Sequence, residues 1–181
     1  MEKVIQGRSM RIFITGSEST GKSTLAEGLS DFYKSFHFPE LARDYLDAHG
    51  PGYKEEDVEE IARMQIRQIR ESPAEGLVFF DTGLIITLVW LEVKYGSSPS
   101  WLKKAIKEDG RGFYLVCQPD IPWVHDPLRE NPGRREELND IYINKIREFG
   151  FPFALVKGRG RERMNNAVRI IDGWILESTA K

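Results

Sequence analysis

The residues Gly16-Ser17-Glu18-Ser19-Thr20-Gly21-Lys22-Ser23-Thr24 satisfy the spacing G-x-x-x-x-G-K-[ST]. Each fixed position serves phosphate chemistry. The two glycines let the backbone wrap tightly and aim its N–H groups at phosphate oxygens. Lys22 reaches the terminal phosphates as a point charge, and the Ser23 hydroxyl is placed to ligate Mg²⁺. Glu18 falls inside the loop. Because the backbone lines the cradle, its side chain is expected to point outward. The flanking residues agree with the motif. The apolar run 11–15 precedes it as a strand, and Leu25, Leu29, Phe32 and Phe36 follow at helical spacing, so a helix N-terminus adds its positive dipole end to the phosphate site.

Other groups could complete such a site. Asp81 ends the apolar run Leu77-Val78-Phe79-Phe80. An acid at the end of a buried strand beside a phosphate loop resembles the Walker-B arrangement, in which the carboxylate holds Mg²⁺ directly or through water. The alternative is an N-cap for the helix that starts at Leu84. Glu40 lies just past the second strand, where an acid can accept the proton of an attacking hydroxyl. A capping or surface acid is the alternative there. Arg43 and Asp44 sit a turn further on, with Arg43 able to grip a hydroxyl or a phosphate. The loop from Trp123 to Arg135 carries Asp126, Arg129 and Arg134 among prolines and glycine. It reads as a lid whose arginines neutralise charge during transfer and exclude water, against the alternative of a solvated surface loop. Arg135 is expected to face solvent. Gly158, just past the last strand, joins the phosphate-side set. His37, His49 and His125 show no metal-ligand spacing.

These groups need a frame, and the chain supplies an α/β one. Strand-like runs are read at 11–15, 37–38, 77–81, 113–117 and 153–156, with helical stretches between them. The long stripe Val58, Ile61, Ala62, Gln65, Ile66, Ile69 leaves Arg63, Arg67 and Arg70 on a solvated face. Leu84 to Lys94, Trp101 to Lys107, the stripe from Leu138 to Phe149 and the stripe Ala167, Val168, Ile171, Trp174, Ile175 give further helices. The expected architecture is a P-loop NTPase fold: a five-stranded parallel sheet, helices on both faces and a lid. Ligands in such sheets bind beyond the carboxyl ends of the strands. Residues 1–10 read as a tail and 11–181 as one domain.

Composition sets the outer bounds. The 181 residues are 40% hydrophobic with a net charge of −2, a balance that argues against a general nucleic-acid binder. The single cysteine, Cys117, lies in an apolar run. It reads as a small buried hydrophobe in a reducing compartment. No stretch is apolar enough to span a membrane and no signal core opens the chain, so a cytoplasmic protein is expected.

Taken together, the sequence resembles the ribosylnicotinamide kinase domain of NadR-type proteins and the small AAA-type P-loop ATPases grouped with it. The resemblance is carried by Gly16–Thr24, Glu40 with Arg43-Asp44-Tyr45, Phe80-Asp81-Thr82, Pro122-Trp123-Val124, and Asp126 with Leu128-Arg129. It covers the chain from Ile12 to Trp174. It implies an ATP- and Mg²⁺-dependent kinase acting on the 5′-hydroxyl of nicotinamide riboside or a related nucleoside. By position, Gly16 to Thr24 then hold ATP phosphates and Mg²⁺, Glu40, Arg43 and Asp44 fall on the substrate side, and Asp126, Arg129 and Arg134 fall in the lid. Thr82-Gly83 stands where the resemblance leads one to expect Thr-Asp. The competing expectations are a nucleoside-monophosphate kinase and an ATP-binding regulatory ATPase module. A translation-type GTPase is disfavoured: Asn144-Lys145-Ile146-Arg147 lacks the acid that would pair with guanine, and no D-x-x-G follows Asp81.

Overall fold

The computed structural model describes residues 9–50, 52–127, 131 and 133–180. Along these residues the order is β1 (Ser9–Thr15), α1 (Lys22–Tyr33), β2 (Phe36–Phe38), α2 (Leu41–His49), α3 (Glu55–Glu71), β3 (Gly76–Asp81), α4 (Leu84–Trp90), α5 (Ser100–Asp109), β4 (Phe113–Cys117), α6 (Arg135–Glu148), β5 (Phe153–Val156) and α7 (Gly160–Thr179). The five strands form one sheet in the order β2-β3-β1-β4-β5. Every neighbouring pair is parallel. Central strands buried on both faces read as continuous apolar runs, which is why β3 and β4 were legible.

Alternate residues of each strand face opposite layers. Ile12, Ile14, Phe79, Leu115 and Val156 pack against Leu25 and Leu29 of α1 and Ala167, Ile171 and Ile175 of α7. Phe13, Val78, Phe80, Tyr114 and Val116 face Val58, Leu84, Leu88, Leu102, Ile106 and Ile146 of α3 to α6. On that face the rings of Phe38, Phe80, Phe13, Tyr114 and Phe151 stack in a row, with neighbouring centroids 4.9–5.4 Å apart. The row explains Gly83: a Cβ there would stand 2.8 Å from Phe13 Cδ1.

Three boundaries depart from the sequence reading. Ser9 and Met10, expected in the tail, extend β1, and Met10 is buried. Phe36 does not continue α1. Lys34 turns left-handed at φ 52° to end the helix, Phe36 opens β2, and both Phe32 and Phe36 are exposed. The helix expected to run unbroken to Lys94 instead widens after Trp90 into a π-helical turn, Leu91–Tyr95. Such turns often occur at functional sites, and this one brings Val93 and Lys94 to a cleft wall.

Candidate active site

β1 lies at the centre of the sheet, so the loop that leaves it opens between two strand ends. Gly16 begins that loop at φ 139°, and a Cβ there would meet the Cys117 carbonyl oxygen at 2.7 Å. Only glycine lets the loop pass so close to β4. Gly21 is left-handed at φ 74° and passes directly into α1. Ser17 and Thr20 are buried, while Ser23 and Thr24 at the helix start are exposed. The Lys22 ammonium donates to the Ser17 carbonyl at 2.9 Å.

The loop is braced from distant parts of the chain. The Asn139 side chain, buried on α6, accepts from the Ser17 N–H at 2.9 Å and donates to the Cys117 carbonyl at 3.2 Å. Arg163, buried on α7, donates to the carbonyls of Thr20, Gly158 and Gln118 and to the Asp120 carboxylate. Arg135 donates to the carbonyls of Ser19 and Ile121 at 3.2 and 3.0 Å. The expectation that Arg135 faces solvent therefore fails: its long stem carries the guanidinium back over the loop.

Glu18 turns its side chain away from the backbone of its own loop. Its carboxylate turns to the 118–135 loop, accepting from the Trp123 indole N–H and the Asn131 N–H, both at 3.0 Å. Ser19 Oγ accepts from the Val124 N–H at 3.0 Å. The expected lid is thus docked on the phosphate loop, as far as its described residues go. Arg129 lies outside the described residues.

Asp81 stands at the end of β3, with 4% of its surface exposed and its Oδ1 without a hydrogen-bond partner among the described residues. Burial raises its pKa above the ordinary 3.8, while the Ser23 hydroxyl and the nearby Lys22 and His37 pull it down. The capping role is not realised. Gly83 precedes α4 with extended backbone, and no side-chain cap is formed. A buried, half-satisfied carboxylate beside a hydroxyl is a donor set that fits Mg²⁺. Among the described residues no group of three or more His, Cys, Asp or Glu could hold a metal by itself.

The phosphate loop forms one end of a cleft of about 500 Å³. Glu40, Arg43, Tyr53, Ile86, Trp90 and Tyr142 contribute to the remainder of its wall. Tyr53 and Trp90 meet edge to face at 5.1 Å, with the indole N–H donating to the tyrosine oxygen at 3.2 Å. Arg43 pairs with Asp126 at 3.0 Å, so an expected substrate-side residue and an expected lid residue hold each other and tie α2 to the lid. Arg134 lines the cleft but pairs with Glu137 of its own helix. Asp44 is exposed on α2, and neither it nor Gly158 lines the cleft. The Gly158 N–H is taken by Asp120 at 2.8 Å, in the network behind the phosphate loop. Cys117 is fully buried, and burial pushes its thiol up to about 11, as suits a packed hydrophobe.

A P-loop that opens a helix at the centre of a parallel sheet is matched by comparison with known proteins. The family model described as an AAA domain covers residues 11–163. The chain belongs to the AAA domain family. This AAA domain is 25% identical over 154 residues to the trifunctional NAD biosynthesis/regulator protein NadR of Salmonella typhimurium, covering 81% of the chain and 38% of that protein. A crystal structure of NadR protein in complex with NR superposes with a TM-score of 0.76 at 27% identity, over 90% of this chain and 50% of that one. Thymidylate kinase from Ehrlichia chaffeensis shares the fold, with a TM-score of 0.66 at 13% identity, over 91% of this chain and all of that one. The chain is thus a NadR-like P-loop domain with the fold of nucleoside and nucleotide kinases, and it spans well under half the length of the curated relative. No helix among the described residues is long and apolar enough to cross a membrane.

Proposed function

We propose that this domain is a kinase that transfers the γ-phosphoryl group of ATP to a hydroxyl of a nucleoside-type acceptor, with the 5′-hydroxyl of nicotinamide riboside as the leading candidate. The observation that carries the reading is the cleft itself. One end is a phosphate loop, and the facing wall offers a carboxylate, Glu40, and an aromatic pair, Tyr53 and Trp90. Flat rings and a sugar hydroxyl suit that wall. The likeness to NadR supports the choice of acceptor.

In this reading, the loop N–H groups of Gly16 to Thr24 and the Lys22 ammonium hold the ATP phosphates. Nucleotide entry displaces Lys22 from the Ser17 carbonyl. Ser23 and Asp81 would hold Mg²⁺, which when bound supplies positive charge at the phosphate oxygens. Glu40 takes the proton of the acceptor hydroxyl as its oxygen bonds to the γ-phosphorus and the bond to the β–γ bridging oxygen breaks. Arg43, held by Asp126, positions the acceptor. Arg134, and Arg129 from the part of the lid outside the described residues, stabilise charge on the transferring group.

The test is an acceptor panel with ATP and Mg²⁺: nicotinamide riboside, other nucleosides, nucleoside monophosphates and no acceptor. Transfer to a nucleoside is expected, with nicotinamide riboside giving the highest kcat/KM. Preference for a monophosphate would move the assignment to nucleoside-monophosphate kinase. ATP binding with no transfer to any acceptor would sink the kinase reading in favour of a regulatory ATPase module.

A further inference from the structure

Thr82 has a left-handed backbone, φ 72°, directly after β3. A β-branched residue is a genuine outlier there, because its branches crowd the neighbouring carbonyls. The surroundings hold it in place. The Thr82 N–H donates to the Ile14 carbonyl at 3.0 Å, continuing the ladder to β1, and the next residue, Gly83, is extended against the Phe13 ring. The chain must turn sharply between these fixed points. Glycine would make the same turn without strain, so the strain is tied to the side chain and not to the path.

That side chain sits at a telling place. Thr82 is 5% exposed, lines the cleft, and makes no hydrogen bond through its hydroxyl among the described residues. It adjoins Asp81, whose carboxylate lies near Ser23 and Lys22 at the phosphate end. Strain stored at a cleft wall is a device for aiming a group that packing alone would not place.

Resting on the kinase reading, we infer that Thr82 is a catalytic contact. Its hydroxyl donates a hydrogen bond to a γ-phosphoryl oxygen during transfer, and the strained turn aims it there. The hydroxyl keeps its proton throughout.

Three substitutions test this. Thr82→Val keeps shape and strain but removes the donor. It should lower kcat and kcat/KM together by about tenfold, the usual worth of one such bond, with KM for ATP little changed. Thr82→Ser restores the donor and should stay within about threefold of the parent, as the conservative replacement of a hydroxyl that only donates. Thr82→Gly relieves the strain and removes the donor. It should melt a few degrees higher, about 2–4 °C, while turning over as poorly as Thr82→Val. Parent-like kcat in Thr82→Val, in transfer and in acceptor-free ATP hydrolysis, overturns the contact. A melting temperature of Thr82→Gly at or below the parent's overturns the stored strain. A parent protein that hydrolyses ATP but phosphorylates no acceptor removes the kinase reading, and the contact is then decided on hydrolysis alone. A parent that does neither removes both.

Discussion

A carboxylate that is 4% exposed and has one oxygen without a hydrogen-bond partner among the described residues is an unusual thing for a fold to keep. Asp81 is such a group, and its raised pKa is the sign that burial outweighs the Ser23 and Lys22 contacts. The direction fixes a pH dependence. A carboxyl held above its unfolded value of 3.8 favours the protonated fold. Its favourable contribution is present below that value and is lost as pH rises through the raised one. At neutral pH the ionised group is a net cost to stability. Asp81→Asn should therefore melt higher than the parent at pH 7 without Mg²⁺, by a few degrees. The gap should close as pH falls through the raised value toward 3.8. Turnover with Mg²⁺-ATP should fall by about 10²-fold or more, as expected for loss of a charge that organises the transferring group. Melting curves across pH and steady-state kinetics check both halves. A lower melting temperature for Asp81→Asn at pH 7 would contradict the burial argument, and unchanged turnover would leave Asp81 without a metal role.

Where the chain's local pattern decides an element, that element was legible. β4 and β5 occupy the expected residues, and α3 buries the whole expected stripe. The phosphate loop and Asp81 are local too: the nine residues 16–24 and the five residues 77–81 state their own geometry. The braces were not legible, because they come from far along the chain. Asn139 is 122 residues from Ser17, and Arg163 is 143 from Thr20. A signal did exist. Arg163 stands four residues before Ala167, in phase with Ile171 and Ile175, and Asn139 shares a face with Tyr142, Ile143 and Ile146. A polar residue in phase with a buried stripe must find partners inside. What no spacing encodes is that those partners are the carbonyls and N–H groups of the phosphate loop. Two predictions follow from the helices as braces. Asn139→Ala strips partners from the Ser17 N–H and the Cys117 carbonyl, which should cost about 2 kcal/mol, or about 4–8 °C of melting temperature. Arg163→Lys keeps the charge but loses the planar fork that serves several acceptors at once. It should destabilise about as much as Arg163→Ala, and retention of parent stability by the lysine variant would reduce Arg163 to a point charge. Thermal denaturation reads both.

At the scale of the whole molecule, the bracing has a consequence for how ligand binding is felt. Lys22 of α1, Asn139 and Arg135 of α6, and Arg163 of α7 all end on backbone groups of the same short loop. The loop itself springs from the central strand, and α1 and α7 cover one face of the sheet while α6 belongs to the other. A nucleotide that orders this loop therefore stabilises both layers, and its binding energy should appear in global unfolding, not in a local event. A ligand at 100 times its Kd adds about 2.7 kcal/mol, which for a chain of this size is about 5–10 °C. The expected result with a non-hydrolysable ATP analogue and Mg²⁺ is one cooperative transition moved up by that amount. Far-UV and near-UV circular dichroism should move together, since both layers share the loop. Lys22→Ala should melt close to the parent without ligand, because among the described residues the ammonium donates to the Ser17 carbonyl alone, in a solvent-reached loop. If that substitution weakens nucleotide binding a hundredfold, the same ligand concentration adds only about 0.4 kcal/mol, about 1 °C. A nucleotide shift confined to one spectroscopic signal would mean the loop is uncoupled from one layer. A full shift in Lys22→Ala would mean that the nucleotide is held somewhere other than the loop.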